Sequence, residues 1–474
     1  MNKFYVSNYR LGFACNSSST HSMIITKDQV KDRGCEGGEF GWGDFIASSP
    51  DTKALYMGAT LMSNLVSMGY QHDIAAAVAS EWAGVKVPEN SYIDHQSALV
   101  IPSIREPYMH PSDYLSVNHS FFDDLRKFVG RDGVVVVGGN DNDDEPAPKP
   151  VGDRIHIGVP KDDRPDDFVA RKDGEHWVMF NRITGGKIRF SFTTEEPYTK
   201  ATWPELVDIK ITDYCQYGCG YCYTNSGCKG KHADKDFLQG LAWALSGMGV
   251  MEVALGGGDP TSHPDLNEII DVFNSAAISV NITTRKDELK KLVPSFNNLS
   301  AVAVSVGYPY EVVDSHDWQV RNGGAVEGYK WRSHPKMYAN LVMGTISRAE
   351  FEELIHACGL VDVTPVLLGF KHVGRGLTYK PLKGYSWWLT EAVRGGCHID
   401  TALAREYANE LKQAGADYRS YYTQEGAFSM YVDAVSGAVG PSSYELDKMV
   451  SVDWAHVRGV DAMRDKLTAM FNKF

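Results

Sequence analysis

Cys215, Cys219 and Cys222 lie close together, with three residues between the first two and two between the last two. They follow the strand-like run Leu206–Ile211. Cysteine thiolates are the usual ligands of iron–sulfur clusters. Three of them can hold three irons of a cubic [4Fe–4S] cluster and leave the fourth iron without a protein ligand. A small molecule can bind at such an iron, so the spacing predicts chemistry rather than a structural staple.

A second motif, Gly256–Pro260 with the sequence GGGDP, follows the next strand-like run, Val250–Leu255. Because glycine has no side chain, the backbone at such a motif can approach a ligand closely. Its N–H and C=O groups could then grip the amine and carboxylate of a ligand. Both motifs follow predicted strands, and functional residues of parallel β/α folds gather at the carboxyl ends of the strands.

Strands and helices alternate from Leu206 onward, which predicts parallel β/α units. The predicted strands are 206–211, 250–255, 278–283, 301–306, 339–343 and 362–368, and the predicted helices include 236–248, 266–275 and 349–358. Six strands are too few for a complete eight-unit barrel. The predicted fold class is therefore α/β, a partial (β/α)6 TIM-like barrel with an N-terminal α+β domain and a small C-terminal extension.

The remaining regions are assigned from composition and pattern. Residues 1–150 are predicted to form an α+β domain that ends in an acidic, proline-rich linker at 140–150. The other predicted domains are a β-rich extension at 151–202 with a hairpin over 176–192, the partial barrel at 203–385, and a C-terminal extension at 386–474 with a helix over 400–413 and a hairpin over 431–439.

Composition excludes some classes of protein. The chain has 474 residues, of which 43% are hydrophobic and 23% charged, as in ordinary globular proteins. Its formal net charge of −13 argues against a protein that coats nucleic acid and, mildly, against extended RNA contacts. No apolar run is long enough for a membrane span, and the first residues lack the apolar core of a signal peptide. A cytoplasmic location with no membrane partner is therefore expected.

The two motifs together resemble those of the radical S-adenosylmethionine (radical SAM) superfamily. The cysteines match its Cys-x3-Cys-x-aromatic-Cys pattern, with Tyr221 as the aromatic residue, and Gly257–Pro260 resembles its GGE-P motif. Asp259 replaces the commoner glutamate, which keeps the carboxylate but shortens the side chain. The resemblance extends over residues 203–385 and implies a cluster-bearing partial barrel.

The resemblance also implies roles for individual residues. The three cysteines would ligate a [4Fe–4S] cluster, and the amino and carboxylate groups of S-adenosylmethionine would bind the fourth iron. The expected contacts to S-adenosylmethionine are Gly256, Gly257, Gly258, Asp259, Tyr221, Thr283 with its neighbour Thr284, Ser305 and Asn340.

The implied reaction is reductive cleavage of S-adenosylmethionine. A flavodoxin- or ferredoxin-type donor would reduce the cluster, and the resulting 5′-deoxyadenosyl radical would abstract a hydrogen atom from the substrate. The hairpin near the C-terminus is similar to SPASM and Twitch extensions of peptide-modifying relatives, which favours a peptide or protein substrate. A nucleotide, RNA or small metabolite is the alternative.

Several cysteines and loops keep other interpretations open. Structural zinc with Cys228 as fourth ligand would make the chain a zinc-stabilised interaction protein, although zinc sites favour paired C-x2-C spacing. Cys228, Cys358 and Cys397 could instead ligate an auxiliary cluster, or the last two could be small buried residues. Ser442 and Ser443 occupy positions where a SPASM-like extension would carry cysteine.

The loop 369–376 follows the sixth predicted strand and is rich in glycine and basic residues. Its Lys371, His372 or Arg375 could bind an anionic group of a substrate or assist proton transfer. An ordinary surface loop is the alternative interpretation.

Overall fold

The computed structural model divides the chain into two compact units, Met1–Tyr198 and Thr199–Phe474. The structure describes residues 5–10, 22–25, 31–33, 35–40, 45–67, 69–93, 123–132, 134–138, 153–156, 168–182, 185–194, 196–322, 335–361, 363–383, 389, 397–413 and 424–474. The predicted linker at 140–150 lies outside these residues.

The N-terminal unit combines three small sheets with helices. Its strands are β1 (Tyr5–Arg10), β2 (Ser22–Ile25), β3 (Glu39–Phe40), β4 (Phe45–Ala47), β5 (Tyr92–Ile93), β6 (Val134–Gly138), β7 (Asp153–His156), β8 (Phe168–Asp173), β9 (His176–Asn181) and β10 (Lys187–Ser191), and its helices include α1 (Pro50–Ser67) and α2 (His72–Ala83). The sheet orders are β1-β10-β9-β8, β4-β6-β2-β7 and β3-β5. The predicted hairpin is present as the antiparallel pair β9–β10. Phe40, Phe45 and Tyr56 pack together in the core of this unit.

The C-terminal unit contains one large sheet and the helices that connect its strands. Its strands are β11 (Leu206–Thr212), β12 (Glu252–Gly257), β13 (Ser279–Thr284), β14 (Ala301–Ser305), β15 (Lys336–Val342), β16 (Thr364–Leu368), β17 (His398–Ile399), β18 (Ser429–Asp433), β19 (Ala438–Gly440) and β20 (Val450–Ser451). Its helices are α3 (Lys235–Gly247), α4 (Leu266–Ser275), a 3-10 helix (Lys286–Asn298), α5 (Pro309–Asn322), α6 (Arg348–Leu360), α7 (Thr401–Glu406), α8 (Ala408–Gln413) and α9 (Gly459–Phe471).

The order of the large sheet is β17-β16-β15-β14-β13-β12-β11-β18-β19-β20. The six predicted strands are β11 to β16, and each is parallel to its neighbours in the sheet, which confirms the predicted fold class. Two further strands extend the parallel series, because β17 pairs with β16 and β18 pairs with β11. Among the described residues no pairing joins β17 to β18.

The C-terminal hairpin differs from the prediction in where it sits. The pair β18–β19 is antiparallel, as a hairpin requires, but β18 also lies beside the cysteine-bearing strand β11. Lys210 of β11 is opposite Asp433 of β18, and the two side chains form an ion pair at 2.6 Å. The hairpin is thus part of the barrel sheet, a long-range pairing that a local pattern does not reveal.

Alternate residues of β11 face opposite sides of the sheet. Val207, Ile209 and Ile211 are buried on one side, where a parallel barrel carries its helices. Asp208 and Lys210 are half-buried on the other side. The inner face of this sheet is therefore polar near the cysteine-bearing strand, as a ligand-binding interior requires.

The helices agree with prediction in the first half of the unit and differ later. Helices α3, α4 and α6 match the predicted segments, and α5 was not predicted. The helix predicted over 400–413 is broken at Tyr407, whose φ of −111° and ψ of 25° end α7. Among the described residues, no helix is long and apolar enough to cross a membrane.

The position of β18 can be tested by a core truncation. Val432 in β18 is fully buried, whereas Val460 in α9 is 39% exposed. We expect Val432→Ala to lower the free energy of unfolding by about 2 kcal/mol, through lost apolar burial and a residual cavity. Val460→Ala should change it by less than about 0.5 kcal/mol. Urea denaturation measures both; equal effects would contradict a barrel position for β18.

Candidate functional site

The cysteine loop, residues 213–231, connects β11 to the segment before α3 and folds back on itself. The Cys215 N–H donates to the Gly227 carbonyl at 3.2 Å, and the Gly227 N–H donates to the Asp213 carbonyl at 3.2 Å. The Cys222 N–H donates to the Cys219 carbonyl, also at 3.2 Å. These bonds hold the three half-buried cysteines at the carboxyl end of β11, as predicted.

The three thiols are free, and their sulfurs are close enough to interact electrostatically. Burial raises the pKa of Cys215, and the negative charges of Asp259, Cys219 and Cys222 raise it further. Within the described part of the chain, no group of three or more His, Cys, Asp or Glu side chains surrounds a single metal position. A cubic cluster attaches each thiolate to a separate iron. This set of converging thiols on one loop fits such a cluster.

The glycine motif is bonded directly to the cysteine loop. The Gly258 N–H donates to the Thr212 carbonyl at 2.7 Å, and the Asp259 N–H donates to the Tyr214 carbonyl at 2.9 Å. A Cβ atom on Gly257, whose φ is 120°, would lie 2.2 Å from the Thr212 oxygen, and one on Gly258 would lie 2.0 Å from the Tyr214 oxygen. These two glycines are required because the cysteine loop passes over them.

Gly256 differs from the two glycines that follow it. A Cβ atom there would have no heavy atom within 4 Å, so this position borders open space where a ligand can lie. The Gly257 carbonyl accepts a hydrogen bond from Thr224 Oγ1 at 3.3 Å, and the same hydroxyl lies 3.2 Å from the Cys222 sulfur. Of the three glycines predicted to contact a ligand, Gly256 is thus the one with free space beside it for that ligand.

Asp259 is almost completely buried, and only one of its two carboxylate oxygens accepts hydrogen bonds. Its Oδ1 atom accepts hydrogen bonds from the Thr261 N–H at 3.1 Å, the Thr261 hydroxyl at 2.7 Å and the Thr284 hydroxyl at 3.0 Å. Its Oδ2 atom is buried without a hydrogen-bond partner. Burial raises the pKa of Asp259 despite the hydrogen bonds from Thr261 and Thr284. The orphaned Oδ2 is an acceptor that fits the ammonium group of S-adenosylmethionine, whereas Thr284 is already used by Asp259.

The other predicted contacts lie near the carboxyl ends of β13, β14 and β15. Ser305 is directly opposite Asn340 in the parallel register, and Thr283 is opposite Ala303, two residues before Ser305. Because side chains alternate along a strand, Thr283, Ser305 and Asn340 share one face of the sheet. The structure therefore brings these three polar side chains together.

Tyr221, between the second and third cysteines, is held by aromatic contacts. Its ring meets the edge of Tyr379 with centroids 5.6 Å apart, and Tyr379 stacks on Phe370 at 5.6 Å. Burial raises the pKa of Tyr221, so its hydroxyl stays protonated at neutral pH. The segment after β16 thereby covers the cysteine loop.

Arg375, in the loop 369–376, clamps the cysteine loop through backbone carbonyls. Its Nε donates to the Cys219 carbonyl at 2.7 Å, and its Nη1 donates to the Ser226 carbonyl at 2.9 Å. The Arg375 N–H donates to the Cys222 carbonyl at 2.9 Å. Arg375 was one of three candidates in this loop for binding an anionic group or assisting proton transfer; its Nε and Nη1 are engaged by the cysteine loop, whereas its buried Nη2 has no hydrogen-bond partner.

Two further residues of the site were missed by the sequence analysis, Arg285 and Glu288. Arg285 directly follows β13 and donates from Nη2 to the Cys219 sulfur at 3.0 Å. Glu288 accepts from the Tyr217 hydroxyl at 2.8 Å and from the Thr261 hydroxyl at 3.4 Å, so it links the cysteine loop to the glycine motif. The available signal for both was their place just beyond the predicted third strand.

Of the remaining candidate cysteines, Cys358 and Cys397 belong to other segments, whereas Cys228 lies in the cysteine loop itself. Cys358 and Cys397 are buried, and burial raises the pKa of each thiol to about 12. Cys228 is exposed, with its sulfur 3.6 Å from the Cys215 carbonyl oxygen. Ser442 is buried and accepts from the Glu445 N–H at 3.2 Å, which forms a local turn.

Comparison with known proteins reveals distant relatives. Residues of this chain are 28% identical over 116 residues to GTP 3′,8-cyclase of Edwardsiella ictaluri, covering 23% of this chain and 34% of that protein. The GTP 3′,8-cyclase of Klebsiella pneumoniae is 30% identical over the same length, with the same coverage. The chain thus spans about a third of the length of these curated relatives.

Two solved structures also resemble the chain. SuiB of Streptococcus suis, bound to its precursor peptide SuiA, has a TM-score of 0.48 and 14% identity, covering 65% of this chain and 90% of that one. The enzyme anSMEcpe with bound AdoMet and Cp18Cys peptide has a TM-score of 0.36 and 16% identity, covering 57% and 82%.

Residues 209–322 match the sequence model of the radical SAM superfamily. This stretch runs from β11 to the end of α5, and so contains the cysteine loop and the glycine motif. Enzymes of this superfamily use a [4Fe–4S] cluster and S-adenosylmethionine, which are therefore the cofactors of this domain. On this match, and on the joined motifs that the structure displays, residues 209–322 are identified as a radical SAM domain.

Proposed function

We propose that this protein uses the radical SAM reaction to abstract a hydrogen atom from a peptide or protein substrate. When bound, the cluster and S-adenosylmethionine supply the electron transfer and the 5′-deoxyadenosyl radical. The observation that carries the proposal is the hydrogen-bonded union of the cysteine loop with the glycine motif at the carboxyl end of β11 and β12. A flavodoxin- or ferredoxin-type partner would deliver the electron.

The proposed tasks of the protein are to hold, orient and shield. Cys215, Cys219 and Cys222 hold three irons on a loop whose carbonyls are fixed by Arg375. The buried Oδ2 of Asp259 would accept a hydrogen bond from the ammonium group of S-adenosylmethionine, because this carboxylate oxygen has no partner of its own. The polar face formed by Thr283, Ser305 and Asn340 then orients the rest of S-adenosylmethionine.

The charge of the barrel interior supports a substrate that is not strongly anionic. Asp208 faces the interior, and burial together with the charges of Glu425 and Glu252 raises its pKa to about 7. Lys371 offsets this only in part. Near neutral pH Asp208 is therefore about half protonated, and an additional polyanion beside these carboxyl groups would be repelled by those that are ionised.

The lysines on this side are already engaged. Lys210 forms ion pairs with Asp213 at 2.7 Å and Asp433 at 2.6 Å. Lys371 lies 4.0 Å from a carboxylate oxygen of Asp400, and its ammonium is 4.6 Å from the centre of the Tyr223 ring. A nucleoside triphosphate would have to compete for these cations, whereas a neutral or basic peptide side chain would not.

A nucleotide substrate is the second candidate, and the names of the sequence relatives, both GTP 3′,8-cyclases, favour it. Those relatives act on GTP by name, and the segment that they share with this chain is 116 residues long. The shared segment covers a third of their length. This shared segment is consistent with the same way of generating the radical in both proteins. The identity of the substrate would then depend on other residues, on the interior face of the sheet.

The cluster assignment predicts a clear difference between two cysteines. Anaerobically reconstituted protein should contain about four irons with a [4Fe–4S] spectrum, and with dithionite and S-adenosylmethionine it should release 5′-deoxyadenosine. Cys219→Ala should abolish that release, because one iron loses its thiolate. Cys228→Ala, the matched control, should retain it. A single zinc in place of iron, or release that survives in Cys219→Ala, would contradict the assignment.

The two kinds of glycine predict separable defects. Gly258→Ala places a methyl group 2.0 Å from the Tyr214 oxygen, so we expect the loop to shift and iron incorporation to fall several-fold. Gly256→Ala meets no protein atom, so iron incorporation should be normal while the Kd for S-adenosylmethionine rises. Iron analysis and equilibrium dialysis measure the two effects. Normal iron content in Gly258→Ala would show that close approach is dispensable.

The substrate proposal predicts that GTP does not act as a substrate. Adding GTP to the reconstituted protein should not increase 5′-deoxyadenosine formation, because the interior offers surplus carboxylates and paired lysines. The peptide fraction of an extract should increase it, and mass spectrometry should identify the changed peptide against the Cys219→Ala control. GTP-dependent stimulation accompanied by a modified nucleotide would favour the second candidate instead.

A further inference from the structure

Arg285 is placed where it can influence the cluster directly. It is the first residue after β13, at the edge of the sheet that also carries the cysteine loop. Its Nη2 donates to the Cys219 sulfur at 3.0 Å, and its guanidinium lies 5.3 Å from the centre of the Tyr217 ring. The side chain is half-buried, so water screens its charge less than at an open surface.

The surroundings direct this charge toward the thiolate. Among the described residues no carboxylate oxygen lies within 4.0 Å of Arg285. Glu311 is the acid that influences it at longer range. Glu311 is itself engaged by the Gly307 N–H at 2.6 Å and the Tyr308 N–H at 3.0 Å. The Cys219 sulfur is thus a direct partner of Arg285, and as a cluster ligand it would be a thiolate.

A cation hydrogen-bonded to a ligating sulfur has a defined physical effect. Reduction adds one negative charge to the cluster, and a nearby positive charge stabilises the reduced form more than the oxidised form. Hydrogen bonds to the sulfurs and local charge are established determinants of iron–sulfur potentials. The Arg285–Cys219 contact would therefore raise the reduction potential of a cluster bound at this cysteine.

Arg285 differs in this respect from Arg375, which also contacts the cysteine loop. Arg375 binds the carbonyl oxygens of Cys219 and Ser226, and so fixes the shape of the loop. Arg285 binds the sulfur atom of Cys219. Arg375 therefore positions the backbone of the loop, whereas Arg285 places its positive charge beside the Cys219 sulfur.

We propose that Arg285 sets the reduction potential of the cluster by donating a charged hydrogen bond to the Cys219 thiolate. This inference rests on the proposed function, since it requires a cluster at the three cysteines. It adds a redox-tuning residue outside the cysteine and glycine motifs. Its role is to keep the one-electron reduction within reach of a biological donor.

The test is a redox titration of the full-length reconstituted protein, without S-adenosylmethionine, followed by the electron paramagnetic resonance signal of the reduced cluster. In Arg285→Gln, which keeps an N–H donor but loses the charge, the ratio of reduced to oxidised cluster at a fixed potential should fall about tenfold, a shift of about 59 mV for one electron. Arg285→Lys should recover most of this ratio. Arg321→Gln, an exposed arginine in α5, is the control and should match wild type.

A second variant covers the case in which Arg285→Gln does not incorporate iron. In Arg285→His the imidazole is charged at pH 6 and neutral at pH 8.5. The reduction potential of the cluster in Arg285→His should therefore fall from pH 6 to pH 8.5 relative to that of the wild-type protein. Wild-type potentials in loaded Arg285→Gln, or a parallel pH dependence in Arg285→His, would overturn the proposal. Absence of iron from the wild-type protein would instead overturn the proposed function.

Discussion

The close approach of two backbone segments is the constraint on which the site depends. No side chain fits at Gly257 or Gly258, because the carbonyls of Thr212 and Tyr214 lie directly over the glycine motif. These carbonyls accept hydrogen bonds from N–H groups of the motif. This contact joins the ends of β11 and β12 into one rigid platform. A ligand held by the cysteine loop therefore lies at a fixed place relative to the open space at Gly256 and the buried oxygen of Asp259.

Side chains from later in the chain stabilise this platform. Glu288 binds Tyr217 of the cysteine loop and Thr261 of the glycine motif, so that each motif restrains the other. Arg375 comes from the loop after β16 and donates to the Cys219 carbonyl, which also accepts the Cys222 N–H of the loop itself. The site is thus assembled from strands that are distant in sequence, and its geometry depends on the completed parallel sheet.

The sequence predicted the parts of this arrangement that depend on local pattern. The cysteine spacing, the glycine run and the six central strands are short-range signals, and the structure places them together as expected. Arg285, Glu288 and the pairing of β18 with β11 were not predicted, because each depends on contacts between residues far apart in the chain. An arginine or glutamate just beyond a strand resembles any surface residue until the partner is known.

The distribution of charge separates two parts of one interior. Arg285 and Arg375 direct positive charge toward the cysteine loop, where a reducible group gains stability from it. Farther along β11 toward its start, burial raises the pKa of Asp208 to about 7, and the negative charges of Glu425 and Glu252 add to this effect. Negative charge added at the cysteine loop would be stabilised by the two arginines. An anionic group placed beside Asp208 would instead be repelled by the neighbouring carboxylates. The positively charged arginines and the buried carboxyl groups thus lie at different positions along the same strand.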